Sequence, residues 1–306
     1  MISEPVKGVL AMIAAAAIWG ASPLYYKMLV HVPAIEVLSH RMLWSFVLFA
    51  GILGLQGRLR EVFRAIDTLH TFGIFAVAAL MIAANWTLFI WSVQVGRTTE
   101  TSLGYYIFPL VAVVIGRVMF GEKLSAMQWC AVGLATLAVV ILTLGLGAAP
   151  WIALTLAVTF GLYGLIKKRL SVGPVVSVTT EVMLLIPFAL VILLQTYHNE
   201  GAVFGDDPKT MFLLILAGPI TAVPLILFSY AARRLAMATV GLLQYINPTL
   251  QFSCAAFVFS EPFGIWHMFA FGLIWTALAF YSASALRRDK ARRKASIAAV
   301  ASGTAL

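Results

Sequence analysis

The chain alternates between long apolar runs and short polar connections over most of its length. Each run holds roughly 20 residues, the length of an α-helix that crosses about 30 Å of hydrocarbon. The pattern therefore predicts an all-α integral membrane protein with ten transmembrane helices. We expect them at 7–28, 36–55, 71–94, 100–119, 125–146, 149–168, 176–196, 210–232, 238–258 and 264–286. Only the connections 56–70 and 197–209 are long, which leaves no room for a soluble catalytic domain.

Composition excludes a soluble protein. Of the 306 residues, 62% are hydrophobic and 11% are charged, and the mean hydropathy is +0.97. A soluble domain of this size needs a far more polar surface. Cys130 and Cys254 both lie in apolar runs, so we expect neither a disulfide nor a metal site. The sequence has no phosphate-binding loop and no zinc-binding helix motif, so we expect no cofactor and no enzymatic activity.

The distribution of Lys and Arg predicts the orientation in the membrane. With ten helices both termini lie on one side, and most of the 21 Lys and Arg residues fall there, including Lys167 and the basic stretch 287–294. Only Lys27, Arg97 and Lys209 fall on the other side. Because cytoplasmic connections are rich in Lys and Arg, both termini are predicted to be cytoplasmic. The net charge of +9 thus favours membrane lipid, and no nucleic acid, as a partner.

The two halves of the chain repeat one another. Residues 85–122 superimpose on 224–261 without a gap, and further matches lie near the start of each half. The matched pairs include Trp19 and Phe160, Gly20 and Gly161, Arg41 and Glu181, Tyr106 and Tyr245, Pro109 and Pro248, and Glu122 and Glu261. We assign 1–147 to the first repeat, 148–286 to the second and 287–306 to a basic cytoplasmic tail.

Each repeat holds five predicted helices, and this odd number makes the repeats inverted. Inverted repeats are related by a pseudo-two-fold axis in the membrane plane, which makes an inward-open and an outward-open conformation available to one structure. The pattern thus favours a carrier that works by alternating access, and a channel is the less favoured alternative.

Four stretches of this sequence resemble the EamA family of the drug/metabolite transporter superfamily, and its RarD branch in particular. They are Leu103-Gly104-Tyr105-Tyr106-Ile107-Phe108-Pro109-Leu110, the matching 241–250, His40-Arg41-Met42-Leu43-Trp44-Ser45, and Asn85-Trp86-Thr87-Leu88-Phe89-Ile90-Trp91. The resemblance covers roughly residues 5 to 288. It implies a basket of ten helices around a central cavity and the export of small metabolites, which include amino acids in some relatives.

Ionisable side chains inside a membrane are costly and are candidates for function. Arg41 is predicted near the outer end of the second helix and Glu181 near the inner end of the seventh, about 15 Å apart along the membrane normal. Each could serve a gate or bind one end of a zwitterionic solute. The alternative is that Arg41 extends to the interface and Glu181 is hydrogen-bonded near the headgroups. His40 and Glu181 are also candidate proton carriers, so proton coupling and facilitated efflux both stay open.

Uncharged polar and aromatic side chains at membrane depth could line a substrate cavity. The candidates are Trp19, Asn85, Trp86, Tyr105, Tyr106, Tyr163, Gln244, Tyr245 and Asn247. The alternative roles are interface anchoring for the aromatic residues and helix-to-helix contacts for Asn. Pro109 and Pro248 each remove one helix hydrogen bond and are candidates for hinges or for structural kinks. Glu122 and Glu261 are expected to cap or orient the helix that follows each of them.

Together these features predict a secondary transporter of the bacterial inner membrane that exports amino acids or similar small amphipathic metabolites. The alternative is a permease for drug-like aromatic compounds of the chloramphenicol type. The expected partners are a small-molecule substrate, membrane lipid and, if transport is coupled, protons. We expect a monomer or a weak homodimer.

Overall fold

The computed structural model describes residues 4–121, 124–147, 150–170, 172–198, 203–205, 207–232, 234–235 and 237–301, which are almost entirely helical. The helices are α1 (Glu4–Met28), α2 (Ala34–Leu55), α3 (Arg60–Arg64), α4 (Leu69–Gln94), α5 (Thr98–Phe120), α6 (Ala126–Leu146), α7 (Trp151–Arg169), α8 (Pro174–His198), α9 (Pro208–Ala232), α10 (Met237–Gln244), α11 (Ile246–Ser253), a π-helical turn (Cys254–Val258) and α12 (Ile265–Ala301). Among the described residues, eight helices are long and apolar enough to cross a membrane, namely α1, α2, α4, α5, α6, α8, α9 and α12. The prediction of an all-α membrane protein is therefore confirmed.

Short polar motifs begin several helices where the apolar runs begin. The Thr68 hydroxyl accepts a 3.1 Å hydrogen bond from the Thr71 backbone N–H at the start of α4, and Ser125 does the same for α6. At α9 the Asp207 carboxylate accepts a 2.8 Å hydrogen bond from the Thr210 N–H, which lowers the pKa of Asp207. These caps explain why the helices start within about two residues of the predicted bounds.

The ninth predicted segment is not one helix. It consists of α10, a turn at Tyr245, α11 and the π-helical turn. Pro248 has no N–H to donate to the carbonyl of Gln244, four residues earlier, and the chain leaves the helix between those two positions. Its counterpart Pro109 lies inside α5, which continues to Phe120. The two matched prolines therefore have different structural effects.

The helices pack in a few close pairs. α5 runs along α7 and α1 along α11, while α2 packs against α8 and α9, α1 also packs against α9, α4 against α7, and α6 against α12. Gly20 permits the approach of α1 to α11, because a Cβ there would lie 2.7 Å from the Leu250 Cβ and 2.9 Å from the Asn247 carbonyl oxygen. At the matched Gly161 a Cβ would lie 3.2 Å from the Ile115 Cδ1. The smallest side chain thus sits at the same crossing in each half.

Connections meet in two groups, one at each end of the helices. At one end His31 lies 2.9 Å from the Thr210 hydroxyl oxygen. At the other end Arg234 pairs with Glu4 at 2.9 Å, and the hydroxyl oxygens of Ser125 and Ser284 lie 3.1 Å apart. Each of these contacts therefore joins two segments that the sequence predicts to lie on the same side of the membrane.

Glu261 caps a helix of the other half of the chain. Its carboxylate accepts hydrogen bonds from the backbone N–H groups of Thr98 and Thr99, at 2.7 Å each, and from the Thr99 hydroxyl at 2.9 Å. These groups form the start of α5, where a helix favours negative charge. Glu261 was expected to cap or orient the helix after it, α12, but these hydrogen bonds of its carboxylate go to the start of α5. Glu122 lies outside the described residues.

Candidate functional site

Arg41 is the centre of a buried polar cluster. It is 6% exposed, and among the described residues no other Lys or Arg is buried so deeply. Its Nη1 donates a 2.7 Å hydrogen bond to the Tyr26 hydroxyl oxygen, and its guanidinium carbon lies 4.0 Å from the centre of the Trp86 ring. Its Nε has no hydrogen-bond partner among the described residues. Arg41 is therefore held by aromatic groups inside the helices and does not extend to the interface.

Asn85 joins three helices beside this cluster. It is 1% exposed, and its Nδ2 donates to the Leu156 carbonyl at 3.0 Å and to the Thr159 hydroxyl oxygen at 2.9 Å, both on α7. Its Oδ1 accepts a 3.0 Å hydrogen bond from the Tyr105 hydroxyl on α5. A buried amide with both ends bonded is oriented rigidly, so Asn85 fixes the Tyr105 hydroxyl near the middle of the bundle.

A chain of aromatic rings connects this region to a second polar cluster. Tyr26 and Phe89 have ring centroids 5.7 Å apart, Phe89 and Tyr105 5.8 Å, Tyr105 and Phe160 5.7 Å, and Phe160 and Tyr163 6.1 Å. Most of these pairs are edge-to-face, an arrangement that aromatic rings favour. Apolar aromatic walls with a few fixed polar groups are typical of sites that bind small amphipathic molecules.

The second cluster surrounds Glu181, which is 1% exposed. Its carboxylate accepts hydrogen bonds from the Tyr163 hydroxyl at 2.8 Å, the Ser177 hydroxyl at 2.9 Å and the Lys167 Nζ at 2.6 Å. Lys167, counted by its charge toward the cytoplasmic side, lies in α7, where its side chain is 22% exposed and paired with Glu181. Glu181 is thus neutralised by a cation from α7.

The other predicted site residues lie in different surroundings. Tyr106 is 2% exposed, and its hydroxyl lies 2.7 Å from the Thr249 hydroxyl, on a different face of α5 from Tyr105. His40 stacks on Phe204 with centroids 4.6 Å apart, and neither ring nitrogen has a hydrogen-bond partner among the described residues.

Four more candidates belong to α1, α10 and α11 or the turn between them. Trp19 is partly buried, with its ring 6.0 Å from that of Phe228. Gln244 is also partly buried, and Tyr245 packs against the cluster formed by α5, α6, α7 and α12. Asn247 accepts a 2.9 Å hydrogen bond from Gln251 on the same helix. The structure brings together Arg41, Asn85, Trp86 and Tyr105, and separately Tyr163 and Glu181, but not the full predicted set.

Sequence reasoning missed two important groups, Tyr26 and Lys167. Tyr26 sits in an apolar run like many interface tyrosines, and Lys167 precedes Lys168-Arg169, so it resembles the basic end of a helix. The internal repeat could have identified both residues. The alignment that places Lys27 on Lys168 also places Tyr26 on Lys167. These two residues bind the matched pair Arg41 and Glu181.

Long apolar helices around buried polar clusters define a multi-pass integral membrane protein with a candidate small-molecule site. The EamA-like transporter family matches residues 6–144. Protein RarD of Escherichia coli (strain K12) is 38% identical over 94% of this chain and 98% of its own, and an uncharacterized transporter of Vibrio cholerae is 38% identical over 94% and 96%. The chain belongs to the EamA-like transporter family, within the drug/metabolite transporter superfamily, and is a RarD-like protein.

Two further similarities complete this picture. The Chloramphenicol-sensitive protein RarD of Pseudomonas aeruginosa is 30% identical over 94% of this chain and 98% of its own. A chain from a solved crystal structure, 16% identical, covers 92% of this chain and 98% of itself with a TM-score of 0.59, so the two share a fold. The protein is therefore a multi-pass bacterial membrane transporter for a small molecule, and the family resemblance inferred from the sequence is confirmed.

Proposed function

We propose that this protein is a secondary transporter that exports amino acids or similar small amphipathic metabolites across the cytoplasmic membrane by alternating access. The observation that carries the proposal is the cluster of Arg41, Trp86, Asn85 and Tyr105, in which one cation and a fixed amide lie among aromatic rings inside the helices. A solute with a charged head and an apolar body matches such a site, because the polar groups can bind the head and the aromatic rings can contact the body.

Alternating access requires two related halves, and the packing supports them. The proposed architecture has ten spans, with α7 as the sixth and the segment from α10 to the π-helical turn as the ninth. In the proposed repeat α1 corresponds to α7, α4 to α9, and α5 to the segment that contains α11. The contact of α5 with α7 then corresponds to that of α11 with α1, and the contact of α4 with α7 to that of α9 with α1. Each of these pairs is present, as inverted repeats would require.

The proposed orientation places both termini in the cytoplasm. It rests on the excess of Lys and Arg at the end of the molecule where Arg234 pairs with Glu4. In this orientation Arg41 lies nearer the outer surface and Lys167 and Glu181 nearer the inner surface. The site would then be approached from the cytoplasm past the Glu181 cluster, which makes that cluster a candidate inner gate.

Proton coupling is proposed as one source of energy, with facilitated efflux as the alternative. Glu181 is the candidate carrier, since Lys167, Ser177 and Tyr163 surround its carboxylate and a change in its protonation would alter all three contacts. His40 is the second candidate because it is buried with both ring nitrogens unbonded among the described residues. Glu181→Gln would lose uptake driven by a pH gradient but keep counterflow if Glu181 carries the proton.

The test of the proposed function is uptake into liposomes that contain the purified protein. Radiolabelled amino acids and aromatic drugs would be compared with and without an imposed pH gradient, and empty liposomes would serve as the control. Saturable uptake of amino acids that competes with unlabelled amino acids supports the proposal. Saturable uptake of the drugs alone supports the second candidate, and the absence of saturable flux for every solute contradicts a carrier of this substrate range.

The second candidate is a permease for drug-like aromatic compounds. Two observations favour it: the aromatic walls from Tyr26 to Tyr163, and the printed name of the Pseudomonas aeruginosa relative, which connects that protein with chloramphenicol sensitivity. Chloramphenicol carries no carboxylate, so this candidate gives Arg41 no anionic partner in the ligand. The two candidates therefore differ most clearly in what they require of Arg41.

A further inference from the structure

We infer that Arg41 forms, with Tyr26 and Trp86, an anion subsite that binds the carboxylate of the transported solute. The inference rests on the proposed function and narrows its substrate class to small amphipathic carboxylates. Its basis is a juxtaposition at Arg41, a residue that is 6% exposed. The guanidinium has one hydrogen bond to a neutral phenol, one aromatic face and an Nε without a partner among the described residues.

The charge of Arg41 is not neutralised within the described part of the chain. The buried carboxylates there contact other groups: Glu36 contacts the Val203 N–H, Glu181 contacts Lys167, and Glu261 contacts the start of α5. Glu100 pairs with Arg97. A buried cation without a counter-ion is costly, so an anion that enters this site would gain the missing interaction.

The contacts that Arg41 does make prepare it for an anion. The Trp86 ring interacts with the cation through its π electrons and supplies no carboxylate or carbonyl oxygen. Tyr26 accepts one N–H of Arg41, which leaves the Tyr26 hydroxyl hydrogen able to donate to a second acceptor. A guanidinium fixed by two groups loses little conformational entropy on binding, and its planar set of donors matches a carboxylate.

The surroundings indicate what the rest of the ligand is like. Tyr26 is in edge contact with Phe89, and Phe89 with Tyr105, so apolar rings border the cation along one direction. Asn85 holds the Tyr105 hydroxyl and uses its own donors on α7. The ligand that fits is a carboxylate attached to an aromatic or aliphatic body, rather than a small inorganic anion.

The test measures binding directly, without requiring transport. Thermal unfolding of the purified protein in detergent would be followed during titration with L-phenylalanine, L-phenylalaninamide and inorganic phosphate. L-phenylalanine is expected to raise the midpoint saturably, with an apparent affinity at least tenfold higher than that of either other probe. Arg41→Gln is expected to weaken L-phenylalanine binding at least tenfold and not to weaken the binding of L-phenylalaninamide, which has no carboxylate. Lys27→Gln, which removes a cation 5.5 Å from the Phe259 ring, is the matched control and should bind as the wild type does.

Several results would overturn the inference. Equal affinities for L-phenylalanine and L-phenylalaninamide in the wild type would remove the carboxylate preference, and preferential binding of phosphate would point to an inorganic anion. Equal weakening of both organic probes in Arg41→Gln would give Arg41 a structural role. If Arg41→Gln does not fold, Arg41→Lys keeps the charge without the planar donors and should show a smaller loss for L-phenylalanine alone.

The two proposals can fail separately. Selective carboxylate binding that Arg41→Gln abolishes, in a protein that moves no solute into liposomes, would leave the subsite intact and contradict the transport proposal. Saturable transport of neutral solutes without carboxylate selectivity would do the reverse. Selective binding together with amino-acid uptake that requires Arg41 is the result expected from both.

Discussion

The Lys167 Nζ lies 2.6 Å from the Glu181 Oε1, and the repeat matches this pair to Tyr26 and Arg41. Both pairs join the first helix of a half to its second helix. In the second half the ionised groups neutralise each other, whereas in the first half a neutral phenol faces a cation. Under the proposed repeat, both halves share this contact, but only the second half balances its charge. The unbalanced charge of the first half lies next to the proposed substrate site.

Removal of one partner of the Lys167 and Glu181 pair should destabilise the protein more than removal of both. Glu181→Leu leaves Lys167 largely buried without a counter-ion, and we expect a loss of about 2–4 kcal/mol in the free energy of unfolding. The double variant Lys167→Met with Glu181→Leu should recover most of that loss. Thermal unfolding in detergent measures both.

An exposed pair supplies the control for this cycle. Arg58 and Glu61 are 2.8 Å apart and exposed, so water screens their interaction and their removal should hardly change stability. If the losses in Lys167→Met and Glu181→Leu simply add in the double variant, the two residues do not interact energetically and the pair has no role as a gate.

Asn85→Leu should impair transport more than stability. The variant loses the hydrogen bonds to α7 and releases the Tyr105 hydroxyl, for which we expect about 1–2 kcal/mol of destabilisation and a fall in amino-acid uptake of at least tenfold. Thr87→Val is the control on the same helix, because its hydroxyl bonds only the Ala83 carbonyl one turn earlier. Normal uptake by Asn85→Leu would reduce Asn85 to a packing residue.

Gly20→Ala should destabilise the protein by about 1–3 kcal/mol, since the new methyl group would press against the Asn247 backbone and Leu250. Gly161→Ala should cost less, because its nearest neighbour is the mobile end of Ile115. Gly164→Ala, with no atom within 4 Å of the added Cβ, should be neutral or slightly stabilising. Equal unfolding midpoints for all three variants would contradict the close approach of α1 and α11.

Glu261→Gln should lower stability by about 1–3 kcal/mol, because an amide oxygen is a weaker acceptor for the two N–H groups at the start of α5. Thr99→Val removes one of the three donors and should cost less. The exposed Glu61→Gln serves as the charge-matched control and should be near neutral. A loss no larger than that of Glu61→Gln would show that the Glu261 contacts contribute little.

Labelling of single cysteines tests the proposed orientation. In a background of Cys130→Ala and Cys254→Ala, a maleimide that does not cross membranes should label Lys209→Cys on intact cells. Gln56→Cys should be labelled only after the cells are opened, since 56–70 is predicted to be cytoplasmic. Both positions are exposed. The opposite pattern would reverse the orientation, and labelling of both on intact cells would refute the assigned topology.

Helix positions were predictable because the transition from apolar to polar residues marks where each span ends. The α4 helix, expected at 71–94, runs Leu69–Gln94. The break at Tyr245 was not predictable from Pro248 alone, since Pro109 occupies the matched place in α5 without breaking it. Whether a proline interrupts a helix depends on what packs against the freed carbonyl, and a single sequence does not contain that information.

The sequence could predict which polar residues belong to the candidate site, but not which residues contact them. Arg41, Asn85 and Glu181 were identified because polar groups are costly at membrane depth. Their partners Tyr26, Thr159 and Lys167 come from other helices, and only the packing of α1, α4, α7 and α8 brings them together. Local sequence predicts a depth for each candidate but not its neighbours.

The cap that Glu261 provides for α5 has a consequence for how this family can vary. Two of its three donors are backbone N–H groups, which every residue except proline supplies. The two backbone donors do not depend on the side chains at 98 and 99, so these buried positions can change between small side chains without loss of either donor. A one-residue insertion or deletion between α4 and α5 would instead shift both donors away from the carboxylate. The constraint falls on the length of that connection, on the acid at 261 and on the size of the two buried side chains, rather than on their chemistry.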